Sequence, residues 1–208
     1  VTGGGVTVGG SSSGILTLDG TIAALNTFLD DPTQIQYLGV LNTNGNNADS
    51  IAVTVNDNGN VGLGGGLDVA LGTVNVDITA INDDPSNIGG LPTDVTVSED
   101  IATDVDLSLI DLSDVDVGGG VLTVTLTTNF GGTLTAATGG GVTVGGTGTG
   151  TLTLDGTLAA LNTFLDDPTQ IQFLSALNAT GNDADTIAVA VNDNGNVGTG
   201  GGLDVALG

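Results

Sequence analysis

Lysine, arginine and histidine are absent from all 208 residues, while 24 acids are present, every one of them Asp except Glu99. A formal charge of −24 with no basic group of its own means that counter-charge must come from solvent cations. Self-repulsion of this size weakens a compact state unless ions offset it. Phosphate contacts need Lys or Arg, so nucleic acid is excluded as a partner, and binding to anionic membranes is excluded on the same ground. Without His, Lys or Cys, the usual general bases, Schiff-base amines and thiol nucleophiles are gone. Absence of Cys also removes disulfides and thiolate metal sites. Aromatics are confined to Phe28, Tyr37, Phe130, Phe164 and Phe173, so a core has to be aliphatic. Paired carboxylates could in principle hydrolyse a glycoside, but few rings are available for a sugar to stack on. The expectation is that the chain is not an enzyme.

High charge alone would suggest disorder. The mean hydropathy of +0.34 and the many Val, Ile and Leu argue for burial instead.

What is present is repetition. Residues 2–72 match residues 138–208 at a constant offset of 136, with 57 of 71 pairs identical. Ala23–Ile35 recurs unchanged as Ala159–Ile171, and Val55–Gly62 as Val191–Gly198. Near-identity at a long period marks serial copies of one module. Catalysis does not need that, whereas a rod, a stalk or a surface layer does. The window is out of register with the module, because residues 73–137 occur once. It reads as a segment of a longer repetitive protein or as the repeat of an assembly.

Within the module, short alternating segments dominate. Val121-Leu-Thr-Val-Thr-Leu-Thr127 places Leu122, Val124 and Leu126 on one face and Val121, Thr123, Thr125 and Thr127 on the other. Thr151–Leu154, Ile187–Val191 and Thr73–Ala80 alternate in the same way, with Gly-rich turns at Gly118–Gly120 and Gly139–Gly141. Period two with β-branched residues predicts half-buried strands, and strands at this spacing predict an antiparallel β-sandwich. Thr157–Leu165 is the exception. Leu158, Leu161, Phe164 and Leu165 share a helical stripe, Thr157 caps it and Pro168 follows its end. The copy is Thr21–Leu29. The fold expectation is therefore all-β, with cadherin- or immunoglobulin-like antiparallel sandwiches in tandem, each carrying one short crossover helix.

The module boundary falls at Ile81-Asn-Asp-Asp-Pro85, since Pro85 cannot continue a ladder, and a new strand is expected near Asp94–Val97. Residues 1–82 are then the C-terminal part of one repeat. Residues 83–208 are the next, lacking the copy of Thr73–Asn82. A missing last strand leaves an open edge, to be filled by the next module or by a neighbouring subunit.

Asn82-Asp-Asp-Pro85, Val97-Ser-Glu-Asp100, Leu112-Ser-Asp-Val-Asp116 and Leu122–Leu126 follow one another in that order. Gly141–Gly146, Leu152–Leu154 and Val191–Asn194 come next, and Gly72-Thr-Val-Asn-Val-Asp-Ile-Thr-Ala-Ile-Asn-Asp83 shows how a module closes. In this order of motifs the chain resembles the cadherin-like tandem repeats of large bacterial surface proteins and adhesins of the RTX or VCBS type. The resemblance covers the whole 136-residue module. The usual Asn-Asp-Ala-Pro linker is here Asn82-Asp83-Asp84-Pro85, with one more acid. The resemblance implies an extracellular β-sandwich strung in arrays, with Ca²⁺ between or within modules. It further implies that linker acids, a Glu near the first strand and an Asp-x-Asp turn meet at a module end. On these positions that means Asp83, Asp84, Glu99, Asp100, Asp114 and Asp116. Asp57 and Asp193, in the Asn56–Asn60 turn and its copy Asn192–Asn196, are further candidates.

The residues themselves leave two readings open. Hard cations take carboxylate, amide and carbonyl oxygens, and this chain offers only those. Yet Asp, Asn and Gly are also simply good turn residues. Two calcium signatures fail. Asp114–Gly119 opens like an EF-hand loop, but its twelfth position is Thr125 rather than Glu. Gly64-Gly-Gly-Leu-Asp68 lacks copies at nine-residue spacing.

The function expected is a structural, calcium-stabilised repeat of an extracellular bacterial adhesin or surface fibre, acting as an extended spacer or stalk. Its partners would be neighbouring identical repeats. A second reading is the subunit of a self-assembling filament or sheath joined by shared strands. A third is a ligand- or ice-binding β module, using Thr-rich segments such as Thr147–Thr153.

Overall fold

A computed structural model describes residues 2–59, 66–196 and 198–208. Asn60 of the first Asn-Asp-Asn-Gly-Asn turn, and Gly64 and Gly65 ahead of Leu67, lie outside them. The architecture is β-rich, built of small antiparallel sheets with two short helices. The chain divides into two compact units, 1–41 and 42–208, which are taken in turn.

The first unit carries β1 (Thr2–Gly3), β2 (Val6–Gly9), β3 (Thr17–Gly20) and α1 (Ile22–Leu29), with the strands in the order β1-β2-β3. Thr21 caps α1 by accepting the Ala24 N–H, which satisfies one of the free amides of the first turn. Among the described hydrophobic residues of this unit, only Val6 and Phe28 are buried.

The second unit begins with a long hairpin of β4 (Gly45–Val55) and β5 (Val69–Ile78). Short pieces follow: β6 (Ser86–Asn87), β7 (Thr103–Asp104) and β8 (Leu112–Ser113). The larger sheets are then built from β9 (Val121–Thr128), β10 (Thr133–Ala136), β11 (Thr143–Gly145), β12 (Thr151–Thr157), β13 (Ile171–Leu174), β14 (Ile187–Asn192) and β15 (Val205–Ala206). The helix α2 (Leu158–Leu165) lies between β12 and β13 in the chain. A five-stranded sheet has the order β11-β12-β9-β14-β15, and a three-stranded one the order β10-β13-β7.

The central strand is β9. It pairs with β12 from Thr151↔Thr127 to Thr157↔Val121 and with β14 from Ile187↔Thr128 to Asn192↔Thr123. Its alternation is as the sequence predicts: Leu122, Val124 and Leu126 are fully buried and the threonines only partly so. Leu152 and Leu154 of β12, Val189 and Val191 of β14, Leu134 of β10, Phe173 of β13 and Leu161, Phe164 and Leu165 of α2 join them in one largely aliphatic cluster. Thr157 caps α2 through the Ala160 N–H. The polar side of α2 is also engaged. Asn162 accepts the Leu112 N–H at 2.9 Å and donates to the Leu112 carbonyl at 2.9 Å, fixing the helix to β8.

The two sequence copies share local geometry but not burial. The β2–β3 register (Val8↔Leu18, Gly9↔Thr17) is the β11–β12 register (Val144↔Leu154, Gly145↔Thr153) shifted by the repeat. Thr54↔Ala70 and Val55↔Val69 likewise reproduce Ala190↔Ala206 and Val191↔Val205. What differs is β9, which has no counterpart in residues 1–82. Among the described residues β3 therefore ends its sheet and β4 pairs with β5 alone. Val53 and Val55 are 37% and 46% exposed, against 4% and 1% for their copies Val189 and Val191.

One expected strand is not formed. Asp94–Val97 alternates in sequence but has no ladder pairing among the described residues. A strand needs an edge to pair with, and periodicity alone does not supply one.

The same side chain should therefore carry different weight in the two copies. Leu152→Ala should lower stability by about 3 kcal/mol, because its site is sealed. Its copy, Leu16, is 43% exposed, so Leu16→Ala should cost less than about 0.5 kcal/mol. Denaturant midpoints of the two variants measure the contrast.

Candidate metal centre

Three segments converge: the linker Ala80–Pro85, the turn Asp114–Val117, and the turn Asn192–Gly195 with the Gly-rich stretch that follows it. The first turn is built by Asp114, whose Oδ1 accepts the N–H of Asp116 at 3.0 Å and of Val117 at 2.9 Å. Val117 is buried in the core, which fixes the turn to the module. Asp116 Oδ2 accepts the Asp83 N–H at 3.0 Å, tying linker to turn.

The other oxygen of each carboxylate, Asp114 Oδ2 and Asp116 Oδ1, is buried with no hydrogen-bond partner. Burial pushes the Asp114 carboxyl above its ordinary value. The Asp116 and Val117 amides oppose that, and the neighbouring Asp116 carboxylate reinforces it. Two adjacent carboxylates can relieve this repulsion by holding a proton or a cation between them. A chain with no Lys, Arg or His has no side chain to take that place.

Asp193 sits beside the same linker and is 1% exposed, the one buried charged residue among those described. Its Oδ1 accepts the N–H of Gly195 at 3.0 Å and of Gly202 at 3.1 Å, and its Oδ2 accepts Asn82 Nδ2 at 2.5 Å. Burial is the largest influence and opposes the charge. Together the Gly195 amide, the Asn82 side chain and the Gly202 amide outweigh it and hold the carboxyl below the usual range. The linker backbone is held as well, by Asn82 N–H to Thr199 O at 3.3 Å and Thr199 N–H to Ala80 O at 3.1 Å. Glycine is required here. A Cβ on Gly201 would lie 1.9 Å from Asn82 Nδ2, and one on Gly198 would lie 2.6 Å from Asn82 N.

The sequence-derived candidates thus fall into groups. Asp83, Asp114 and Asp116 are linked directly, and Asp193 joins them through Asn82, whose Nδ2 also donates to Asp83 O at 3.2 Å. Asp84 is exposed beside buried Pro85. Glu99 is exposed and lines a groove. Asp100 has a positive φ of 59° and bonds elsewhere, its N–H donating to Ser175 Oγ at 3.4 Å and its Oδ1 accepting the Asn178 N–H at 3.1 Å. Asp57 repeats the turn geometry of Asp193, with Oδ1 accepting Gly59 and Gly66 N–H, both at 3.0 Å. Among the described residues, no group of three or more acidic side chains is placed to hold a metal ion. The convergent feature is a carboxylate pair, Asp114 and Asp116, that accepts a linker amide, the Asp83 N–H.

Sequence reasoning missed Asn82 as a structural partner, and it missed Asp185. The latter accepts the N–H groups of Asn129, Phe130 and Thr186 on Oδ1 and of Gly132 on Oδ2, all within 2.9 Å. Burial opposes its charge most. The four amides, Phe130 and Gly132 foremost, outweigh it and leave the carboxyl depressed. Its position just ahead of the Ile187–Val191 alternation was the available signal.

Compared with known proteins, the chain matches no family model, no curated protein and no solved structure.

Asp185 and Asp114 should respond to pH in opposite senses. A depressed folded pKa gives stability that is present above the unfolded value and is lost as pH falls through the folded one. Asp185→Ala should therefore cost about 2 kcal/mol at neutral pH, with the deficit shrinking in acid. A raised folded pKa does the reverse, so the Asp114 charge weighs against folding at neutral pH. Without metal, Asp114→Asn should raise the unfolding midpoint at neutral pH. The gain should vanish as pH falls to the ordinary carboxylate range. Urea unfolding of both variants across pH 3–8 in chelator, a range of roughly five units set by reference carboxylate pKa values, checks both signs.

Proposed function

We propose that this chain is a structural, calcium-stabilised repeat of an extracellular bacterial adhesin or surface fibre, serving as an extended spacer. In this reading the modules are cadherin-like β-sandwiches in series, and the chain has no catalytic role. The observation that carries it is the pair of partnerless buried oxygens, Asp114 Oδ2 and Asp116 Oδ1, held against the linker by the Asp83 N–H. Asp114 and Asp116 would hold the cation, through the two oxygens that have no hydrogen-bond partner. A bound Ca²⁺ would supply the positive charge that the sequence lacks and would stiffen the join between modules. The 136-residue repetition supports the role of spacer, since length is what serial copies provide.

A filament joined by shared strands is the second reading. It is favoured by the alternating segment Asp94–Val97, which has no ladder partner among the described residues, because such a segment invites pairing with another chain. A Thr array for ligand or ice gains less support. The Thr147 hydroxyl bonds Ala136 O, and that of Thr149 bonds Gly146 O and Thr151 O.

Thermal unfolding of the chain in Ca²⁺ and in chelator, at equal ionic strength, tests the proposal. Calcium at a hundred times its Kd should add about 2.7 kcal/mol, and Na⁺ should not replace it. Asp114→Asn, which keeps the Oδ1 turn bonds, should abolish the calcium increment. Equal midpoints in calcium and chelator would sink the assignment.

A further inference from the structure

A groove of about 690 Å³ opens beside the end of β14, lined among others by Leu91, Val95, Val97, Phe173, Ile187 and Gly208. Along two sides of it the chain has no ladder partner facing the groove among the described residues. One wall is Asp94–Val97, the alternating segment that forms no strand. The other is the stretch Asp185–Ala188, which β9 covers only on its far edge, through Ile187↔Thr128 and Ala188↔Thr127.

The first sequence copy shows what fills that position. There β5 does not stop at Gly72. It runs on to Ile78 and pairs Ala52↔Thr73, Ile51↔Val74, Ser50↔Asn75 and Asp49↔Val76. Shifted by the repeat, Asp49–Ala52 is Asp185–Ala188, the groove wall. The approach to the groove is also reproduced. Val189 N–H donates to Gly208 O at 2.5 Å and Leu207 N–H to Val189 O at 2.8 Å, the counterpart of Val53↔Gly72. Gly72 and Gly208 share one backbone conformation, with φ of +139° and +153°, one that side-chain-bearing residues rarely adopt. β5 continues through Gly72 to Ile78, and Gly208 itself lines the groove.

We propose that this groove is the seat of a β-strand of the sequence Thr-Val-Asn-Val-Asp-Ile, added in cis as the continuation of β15. Directly opposed residues in an antiparallel pair share a face. The residue matching Val74 therefore falls beside Ile187, which packs on the core. Residues matching Val76 and Ile78 follow on that face, and those matching Thr73, Asn75 and Asp77 face outward. The incoming strand also offers its second edge to Asp94–Val97, giving that alternation the partner it lacks. The β4·β5 hairpin leaves Val74 56% exposed, so the same segment gains burial in the groove. This inference rests on the reading of modules in series but not on calcium.

The test uses a fluorescent peptide of the sequence Thr73–Asn82, titrated into the full chain in chelator, so that failure of the calcium assignment leaves the result untouched. Saturable binding is expected, at least tenfold tighter than for a scrambled peptide, with amide exchange slowed at Asp185–Ala188 and not at Asp49–Ala52. A chain extended past Gly208 by those ten residues should show the same protection and should no longer bind the peptide. Absence of both peptide binding and protection in the extended chain would overturn the proposal. Undiminished peptide binding by the extended chain would overturn the cis assignment and make the groove a site for a second molecule. Protection appearing at Asp49–Ala52 instead would show that the peptide merely replaces β5, and would also count against the groove.

Discussion

Everything in the second copy is organised by one strand. The two edges of β9 hold β12 and β14, and its buried Leu122, Val124 and Leu126 form the middle of the aliphatic cluster. Burial of aliphatic surface is the main favourable term for such a chain, and no aromatic-rich core, disulfide or internal ion pair is available to replace it. Where β9 has no counterpart, nearly identical sequence keeps its local registers and leaves its valines exposed. Local pairing is thus written in residues 138–208 and their copy, but the core depends on β9, which lies outside both.

Charge imposes the second constraint. With acids and no bases, each carboxylate can be stabilised only by amides, hydroxyls or solvent ions. Most of the structured ones use backbone amides. Asp167 accepts the Thr169 N–H, the Thr169 hydroxyl and Gln170 Nε2, and Asp31 repeats the pattern with Thr33 and Gln34. Asp185 and Asp193 do the same under partial or full burial. Asp114 and Asp116 stand apart because each has one buried oxygen with no hydrogen-bond partner. The metal proposal rests on that contrast rather than on the number of acids.

Much of the fold was legible in advance. Alternation located β9, β12 and β14 and assigned their buried faces. The Thr157 cap and the Leu161, Phe164 and Leu165 stripe located α2. These are local properties, and period and capping report them directly. The unformed strand at Asp94–Val97 was not foreseeable from its own alternation, since pairing depends on a distant segment. The site was only partly legible for the same reason. The Asp-x-Asp turn and the linker were found as separate motifs. The bond from Asn82 to Asp193, separated by 111 positions, required the fold. Asp100, grouped with the linker acids by resemblance, makes its bonds to Ser175 and Asn178.

The dependence of burial on β9 can be read directly by native-state amide hydrogen exchange on the intact chain, comparing Ile51–Val55 with Ile187–Val191. The two sequences differ only at Thr54 against Ala190, so propensity cannot separate them. Protection in Ile187–Val191 should be about a hundredfold or more above that in Ile51–Val55, since opening the former requires disrupting the core around β9. Equal protection in the two segments would contradict this dependence, because each copy would then hold its strands without β9.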